Sequence, residues 1–401
     1  MKILQLTNKV PLPAHDGGAI ATLTLAKGLA GAGCEVTLLA MNTSKHFVDP
    51  GIIEDFNRMN KVRIQAVPVD TSIRPLKALS NLLFSELPYN AVRFQSPAYA
   101  RELENLLESD SWDFIMLENL YTCLYRDILD RYPSVPVLLR PHNVEYRIWE
   151  RTAGLARGWK KIYMKLLARR IRKFETAQVN RYSALIPISE EDARQFNEMG
   201  NKKPTIVCPT GIDSFTEADH EEIAREGRSV GHLGALDWLP NQDGIRWFVR
   251  DVWPRVLTAV PDAVFNLAGR NAPRGWDHEI AGPGISFLGE ISNAEAFITR
   301  QNVMVIPLFS GSGMRIKLLQ YLSLGRAVVT TPVGSEGIGI TPGYHALVET
   351  EPEQFAQQLI ELLLDPEACR KIGQNGRDLI KEKYDNKLII NNLINFLSSL
   401  K

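Results

Sequence analysis

The chain has 401 residues, of which 45% are hydrophobic and 23% charged, with 46 basic and 46 acidic residues. A chain of this length is too long for one hydrophobic core, so we expect two domains. The balanced charge gives no electrostatic reason to expect a nucleic-acid partner. The four scattered cysteines, at positions 34, 123, 208 and 369, have neither metal-site spacing nor the density of a disulfide framework.

Short apolar runs alternate with helical segments, which predicts two parallel sheets with helices on both faces, an α/β fold of two doubly wound domains. In the first half we predict strands at 3–7, 35–40, 62–67, 114–117, 135–139 and 184–188, and helices at 18–32 and about 144–180. A cluster of Gly, Asn, Lys and Pro at 200–204 predicts a domain boundary. The second half predicts strands at 205–208, 229–233, 263–268, 285–288, 303–307 and 327–330, helices at 241–260, 292–300 and 314–324, and a last helix at 388–400.

The first residues and the apolar runs predict a soluble, cytoplasmic protein. Met1-Lys2 leads directly into an apolar run, which leaves no room for a signal peptide, and no apolar run approaches the roughly 18 residues of a membrane span. The segment 157–173 carries eight basic residues and no acidic one. It fits either a long helix with a solvated charged face or a helix that contacts the inner face of a membrane, and the apolar segment 74–88 would suit the same contact.

The segment 303–337 predicts a strand, a glycine-rich loop and a helix. An apolar run ends in Ser310-Gly311-Ser312-Gly313, and Arg315 and Lys317 follow on the first turn of the predicted helix. Unpaired backbone N–H groups at the start of a helix bind anions, so a phosphorylated ligand is expected. No Lys-Ser/Thr pair follows the glycines, which excludes a Walker-type ATP loop. On an ideal helix from Gly313, Lys317 and Gln320 share the polar face, whereas Arg315 is rotated away.

This segment resembles the donor-nucleotide motif of the GT-B glycosyltransferases, specifically the large retaining family 4. Matching segments occur in the family's order along residues 2 to about 340: Asp16-Gly17-Gly18, Arg140-Pro141-His142-Asn143-Val144-Glu145, Ile188-Ser189, Pro209-Thr210-Gly211-Ile212-Asp213, and Gly231 to Gly234 followed by Pro240-Asn241. The resemblance implies a metal-independent retaining glycosyltransferase of polysaccharide biosynthesis. Such an enzyme moves a sugar from a nucleoside diphosphate sugar, its co-substrate, to a hydroxyl acceptor, either a glycan or a lipid-linked glycan.

The resemblance also implies an arrangement of domains and residues. Residues 1–203 would form the acceptor-side Rossmann-like domain, joined by a C-terminal helix at 384–401, and residues 204–383 would form the donor-binding domain across a cleft. His142 is the expected catalytic residue, facing the transferred sugar. The expected donor-binding residues are Gly17, Gly18, Arg270, Gly311, Ser312, Gly313, Met314, Arg315, Lys317, Gln320 and Glu336. No metal and no other cofactor is implied.

Each of these assignments has a purely structural alternative. His142 could be a histidine satisfied by nearby backbone, and Gly17-Gly18 could form a plain tight turn. Lys317 and Gln320 could simply occupy a solvated helix face, and Glu336 could cap a turn instead of binding sugar hydroxyls.

The chain departs from the family pattern at two places. Many members carry two glutamates across the glycine loop and helix, where this chain has Ser312 and Gln320. Many also carry an Arg and a Lys for the diphosphate, where this chain offers His232 or Gly234 and then Asn241. A sugar-nucleotide epimerase of GT-B fold and a non-catalytic sugar-nucleotide-binding protein therefore remain as alternatives.

Overall fold

The computed structural model describes residues 1–14, 16–155, 157–213, 227–311 and 313–401, which form two compact units. Unit 1 comprises Met1–Gly211 and Ile389–Lys401, and unit 2 comprises Ile212–Leu388. Each unit is built on a six-stranded parallel sheet flanked by helices. The predicted α/β fold with two doubly wound sheets is confirmed.

The sheet of unit 1 reverses its strand order in the middle. Its strands are β1 (Lys2–Thr7), β2 (Glu35–Thr43), β3 (Val62–Val69), β4 (Phe114–Leu117), β5 (Val137–Leu139) and β6 (Ala184–Leu185). They lie in the order β3-β2-β1-β4-β5-β6, with Ile3 of β1 opposite both Val36 of β2 and Phe114 of β4. In open parallel sheets the ligand lies beyond the carboxyl ends of the strands where the order reverses, which here is between β1 and β4.

Helices connect the strands of unit 1. They are α1 (Gly17–Gly31), α2 (Pro50–Met59), α3 (Pro75–Phe84), α4 (Tyr89–Val92), α5 (Pro97–Ser109), α6 (Arg126–Leu129), α7 (Glu145–Leu155), α8 (Gly158–Gln178) and α9 (Glu190–Glu198), with 3-10 turns at Ser44–His46 and Leu120–Tyr125. The prediction of one helix over 144–180 is wrong, because α7 and α8 are separate. Gly158 has a φ of +59° at the start of α8, and a left-handed residue cannot continue a right-handed helix.

Unit 2 repeats the same strand order. Its strands are β7 (Arg228–Leu233), β8 (Ala263–Ala268), β9 (Ile285–Gly289), β10 (Val303–Ile306), β11 (Ala327–Thr330) and β12 (Leu347–Val348), in the order β12-β11-β10-β7-β8-β9. The order reverses between β7 and β10, so the carboxyl ends of these two strands mark the ligand position in unit 2.

The helices after β7 are α10 (Leu239–Trp247), α11 (Trp253–Ala259), α12 (Trp276–Glu279), α13 (Ala294–Arg300), α14 (Ile316–Ser323), α15 (Pro352–Leu364), α16 (Pro366–Lys383) and α17 (Asn386–Ser399). A π-helical segment, Phe248–Val252, joins α10 to α11, and Val333–Ser335 forms a 3-10 turn. The predicted continuous helix over 241–260 is therefore divided into three parts. No helix in the described ranges is long and apolar enough to cross a membrane.

Helix α17 follows unit 2 in the chain but belongs to the core of unit 1. Its side chains Ile389, Ile390, Leu393 and Leu397 are buried in one cluster with Ile3 of β1 and Leu38 of β2. Full burial of each such side chain contributes about 1.5–3 kcal/mol. The predicted return of the last helix to the first sheet is confirmed.

The segment 205–208, predicted as the first strand of the second domain, extends the sheet of unit 1 instead. The N–H of Ile206 donates to the carbonyl of Leu185 in β6 at 3.1 Å, and the N–H of Cys208 donates to the carbonyl of Pro187 at 2.8 Å. The boundary between the two compact units accordingly falls after Gly211.

Candidate functional site

A buried carboxylate organises the carboxyl ends of the central strands in unit 1. Glu118 directly follows β4, and its Oε2 accepts hydrogen bonds from Nη1 of Arg140 at 2.8 Å and from His142 at 2.9 Å. Gln5 of β1 donates to Oε1 at 3.1 Å, and the hydroxyl of Thr22 in α1 donates to Oε2 at 3.2 Å. Four groups, from β1, from the segment directly after β5 and from helix α1, therefore hold this carboxylate in place.

This network determines the protonation of His142. Burial would raise the pKa of Glu118, but the Arg140 guanidinium and the hydrogen bonds hold it below its ordinary value, so Glu118 is ionised. Burial, together with the positive charge of Arg140, lowers the pKa of His142, so its ring is neutral at neutral pH. Because an ionised carboxylate only accepts hydrogen bonds, Nε2 carries the ring proton and Nδ1 is left with a lone pair.

The Nδ1 atom of His142 lies at the start of α1. Asp16 caps this helix by accepting from the N–H of Ala19 at 3.1 Å, and it pairs with Nζ of Lys9 at 2.5 Å. A methyl group added at Gly18 would lie 3.5 Å from Nδ1 of His142, 3.4 Å from Oδ1 of Asp16 and 3.7 Å from Nζ of Lys9. Glycine at position 18 therefore keeps an open space among three polar side chains.

In unit 2 a second polar cluster lies at the carboxyl ends of β7 and β10. His232 of β7 is buried, and its Nδ1 donates to the carbonyl of Val305 in β10 at 2.9 Å. Burial, with the nearby charge of Lys317, lowers the pKa of His232 to about 3, so the ring is neutral and Nε2 carries a lone pair. Within the described parts of the chain, this Nε2 has no hydrogen-bond partner.

Lys317 of α14 reaches the same place from the other side. Its Nζ donates to Oδ1 of Asn241 in α10 at 2.9 Å, and Nδ2 of Asn241 donates to the carbonyl of Ala235 at 2.7 Å. A methyl group at Gly234 would lie 2.8 Å from Nζ of Lys317, 2.9 Å from Nδ2 of Asn241 and 3.3 Å from Nε2 of His232. We call these three side chains, converging on Gly234, the nitrogen cluster.

The nitrogen cluster favours an anionic ligand. Burial, together with the positive charge of Arg315, lowers the pKa of Lys317 to about 7. No carboxylate among the described residues forms an ion pair with Lys317. An anion placed beside Gly234 would supply the missing negative charge, and it would restore the pKa of the lysine toward its ordinary value.

The glycine loop before α14 differs from the predicted geometry. The helix begins at Ile316 rather than near Met314, because Arg315 is its N-cap residue and has a non-helical backbone, with φ −86° and ψ 88°. Arg315 therefore precedes the helix, so its predicted position on an ideal helix from Gly313, rotated away from Lys317, is wrong. Ser312 lies outside the described residues.

Arg315 is buried at the base of this loop. Its Nε donates to the carbonyl of Val333 at 3.2 Å, and its Nη2 lies 3.8 Å from Oε2 of Glu336. A methyl group at Gly337 would lie 3.2 Å from Cα of Met314. Arg315, Glu336 and Met314 are thus brought together where the two glycine loops of the motif pack on each other.

The two predicted faces of α14 are confirmed from Lys317 onward. Leu318, Leu319 and Leu322 are fully buried, whereas Lys317 and Gln320 are half-buried and lie one turn apart. Their shared face is the one that the apolar periodicity predicted.

The backbone of Arg270 lies near the nitrogen cluster. Its carbonyl accepts from the N–H of Leu236 at 2.8 Å, and the preceding Gly269 packs so closely that an added methyl group would lie 2.0 Å from the carbonyl oxygen of Gly234. The turn after β8 therefore borders the loop after β7.

The predicted residues thus fall into two groups. Gly17, Gly18 and His142 meet in unit 1, whereas all the other described ones lie in unit 2. Glu118 was not predicted from the sequence, although an acidic residue directly after the apolar run 114–117 was a visible signal. Across the described ranges, no group of three or more His, Cys, Asp and Glu side chains is arranged to hold a metal ion.

Two family models match this chain in succession. Residues 16–211 match the glycosyl transferase 4-like domain, and residues 227–365 match the glycosyl transferases group 1. With the two repeated sheets, these matches show that the chain belongs to the group 1 glycosyltransferases, and the predicted resemblance is confirmed.

Individual relatives cover the chain from end to end. An uncharacterized 44.6 kDa protein in the cps region of Klebsiella pneumoniae is 24% identical over 98% of both chains. Among solved structures, HepE of Anabaena in complex with UDP has a TM-score of 0.70 at 15% identity and covers 100% of both chains. The sucrose-phosphate synthase of Thermosynechococcus elongatus has a TM-score of 0.70 at 16% identity, over 100% of this chain and 99% of its own. Both structures share the GT-B fold with this protein.

Proposed function

We propose that this glycosyltransferase is a retaining enzyme that takes its sugar from a nucleoside diphosphate sugar and transfers it to a hydroxyl acceptor. The observation that carries the proposal is the nitrogen cluster, in which His232, Asn241 and Lys317 converge on Gly234 without a carboxylate among the described residues. A diphosphate has the charge that such a cluster lacks. The complex of the similar HepE fold with UDP supports the same ligand class.

The donor would contact several parts of unit 2. Lys317 and the N–H groups of the loop at Gly311 and Gly313 would bind the diphosphate, and Gln320, one turn further along α14, would bind a ribose hydroxyl. Arg270 would border the nucleobase. Glu336, held near Arg315, would accept from sugar hydroxyls.

Catalysis would rest on stabilising the departing diphosphate. Backbone N–H groups, Arg315 and Lys317 supply that charge stabilisation, so we propose that transfer does not require a metal ion. The acceptor hydroxyl would attack on the face that the phosphate leaves, which retains the anomeric configuration and needs no carboxylate nucleophile. The acceptor would be a glycan or a lipid-linked glycan.

His142 would contact the transferred sugar through Nδ1. Its neutral ring, held by Glu118 at Nε2, presents a lone pair that can accept a hydrogen bond from a sugar hydroxyl. Gly17 and Gly18 would give the sugar or the acceptor access to this atom at the start of α1.

Incubation with a panel of labelled UDP- and GDP-sugars tests the proposal. Slow hydrolysis without acceptor, or transfer to a hydroxyl, with the α configuration of the donor kept in the product by NMR, is the expected result. Inversion of the anomeric carbon would contradict the retaining mechanism. An epimerised nucleotide sugar would identify an isomerase instead, and saturable binding without turnover by any donor would identify a non-catalytic binding protein.

A further inference from the structure

Helix α3 exposes its apolar stripe to solvent. Leu76, Leu79 and Leu83 follow the i, i+3, i+7 spacing that places side chains on one line of a helix and normally faces a core. Here they are 83%, 54% and 66% exposed, and no residue of α3 is buried. Phe84, next to this line, is also exposed. A soluble surface rarely carries so dense a row of large apolar side chains.

The opposite face of α3 is fixed on α8, so the stripe points away from the body of unit 1. The Arg170 guanidinium of α8 donates to the carbonyls of Asn81 and Leu82, at 3.1 and 2.8 Å, and so satisfies the last turn of α3. Ala78 and Asn81 line a small cavity together with Tyr163 of α8. These contacts settle which side of α3 packs and which side is left open.

Helix α8 also exposes apolar residues beside its contact with α3, where Leu166 lines the same small cavity as Ala78 and Asn81, and cations border them. Ile162, which is 73% exposed, and Leu166 lie one turn apart on α8. Lys165, Arg169 and Arg172, at i, i+4 and i+7, form the adjacent row.

This basic row lines a pocket against α7. The pocket has a volume of about 330 Å³, and Glu150 and Ala153 of α7 complete its lining. Glu150 lies 4.0 Å from Arg172, whereas Lys165 and Arg169 form no ion pair with another described residue. Two of the three cations are thus available to an outside partner.

We propose that α3 and the outer face of α8 dock on the surface of an anionic lipid bilayer. Leu76, Leu79 and Leu83 enter the boundary between head groups and acyl chains, while Lys165 and Arg169 meet the lipid phosphates. An apolar row beside a basic row is the pattern of a helix that lies in a membrane interface. A second copy of the chain suits this surface less, because a two-fold contact through it would gather the unpaired cations of both copies into one interface. The inference does not depend on the proposed donor chemistry.

Vesicle flotation of the full chain tests this docking surface. We expect the protein to float with vesicles of phosphatidylcholine and phosphatidylglycerol at least about tenfold more than with phosphatidylcholine alone. The double variants Leu76→Ser/Leu83→Ser and Lys165→Glu/Arg169→Glu should each lower this partitioning by about tenfold. Their unchanged thermal unfolding would show that these exposed positions leave the fold intact.

Matched controls come from other surfaces of the same chain. Ile52 and Met59 of α2 are exposed at the same seven-residue spacing, so Ile52→Ser/Met59→Ser should float like wild type. The variant Lys61→Glu/Lys371→Glu changes the net charge by the same amount as Lys165→Glu/Arg169→Glu, and it should also float like wild type. The proposal is overturned if wild type ignores anionic vesicles, or if the leucine variant floats normally. It is equally overturned if light scattering shows that the wild type is a dimer and that the Leu76→Ser/Leu83→Ser variant is a monomer.

Discussion

Lys317 is the residue on which the nitrogen cluster most depends, since it alone brings a titratable positive charge to Gly234. It donates to Asn241 at 2.9 Å, whereas Arg315 is buried against the carbonyl of Val333 and lies near Glu336. The two basic residues of the motif therefore have different surroundings. Lys317 is directed at the ligand position, whereas Arg315 supports the loop and would act on the diphosphate more weakly.

We expect Lys317→Met to weaken binding of a nucleoside diphosphate by more than tenfold, because a charged hydrogen bond to phosphate is worth about 1.5–3 kcal/mol. The nucleoside without phosphates should bind this variant like wild type. Arg315→Met should instead lower thermal stability, with a smaller or indirect effect on the diphosphate. Calorimetric titration of both ligands into both variants measures this. Greater loss of diphosphate affinity in the Arg315 variant would contradict the assignment.

The lowered pKa of Lys317 predicts a pH dependence of binding. In the free protein the pKa is about 7, and a bound anion raises it, so binding above that pH takes up a proton. Affinity for a nucleoside diphosphate should fall between pH 7 and pH 9, by up to about tenfold per unit. Titrations at pH 7, 8 and 9 measure the slope, which Lys317→Met should abolish. A slope equally steep in the variant would assign the proton to another group.

The same group has the opposite effect on the stability of the free protein. The unfolded chain keeps the lysine proton up to its ordinary pKa of 10.5, whereas the folded chain loses it near 7. The unfolded state therefore binds more protons in that window, and this residue makes the free energy of unfolding rise with pH across it.

For His142 we expect His142→Ala to reduce kcat far more than donor affinity. Glu118 keeps its hydrogen bonds from Arg140 and Gln5 when the imidazole is removed, so the fold should survive. Steady-state kinetics together with donor titration separate the two effects. Unchanged turnover would return His142 to a structural role, as a histidine that merely satisfies Glu118.

At the scale of elements, the start of α1 combines a helix cap with an open space. Gly18→Ala should leave the protein folded, because the added methyl group finds contacts no shorter than 3.4 Å and alanine favours a helix by about 1 kcal/mol over glycine. The methyl group would nevertheless fill the space beside His142, so we expect equal or higher thermal stability with lower turnover. Gly31→Ala, near the other end of α1 with nothing close to the methyl group, is the control. Equal activity of the two variants would contradict a ligand at Gly18.

The element boundaries show what the sequence could and could not predict. The central strands were placed within one or two residues, because strands buried on both faces are continuous apolar runs. The start of α14 and the break between α7 and α8 were missed, because they depend on backbone angles, at Arg315 and at Gly158, that only the folded chain determines. The two-residue strand β12 offers too short a pattern to recognise.

The site was predicted only where one element carries it. The face shared by Lys317 and Gln320 follows from helical periodicity within α14, and it was correct. The link between Glu118 and His142 depends on β4 and β5 being neighbours in the sheet, which is a long-range fact that local patterns do not contain. For the same reason the neutral His232 facing Lys317 could not be derived from the order of residues.

At the scale of the whole molecule, the two sheets share one strand order, which marks a candidate binding position in each unit. We expect sugar transfer or donor hydrolysis to persist in excess EDTA, since the phosphate charge would be met by Lys317, Arg315 and backbone N–H groups. Activity is measured before and after chelation, with a metal-dependent nuclease in parallel to prove that chelation is complete. Loss of activity in EDTA and its recovery on adding a divalent ion would contradict this mechanism.

Helix α17 has a consequence for how the protein is made. A ribosome must synthesise all of unit 2 before it produces the side chains, such as Leu393 and Leu397, that complete the core of unit 1. During that interval the apolar surface around Ile3 and Leu38 is without its covering helix, and the nascent chain has a site for chaperones to occupy. The half of the protein that is translated first is therefore the half that finishes folding last.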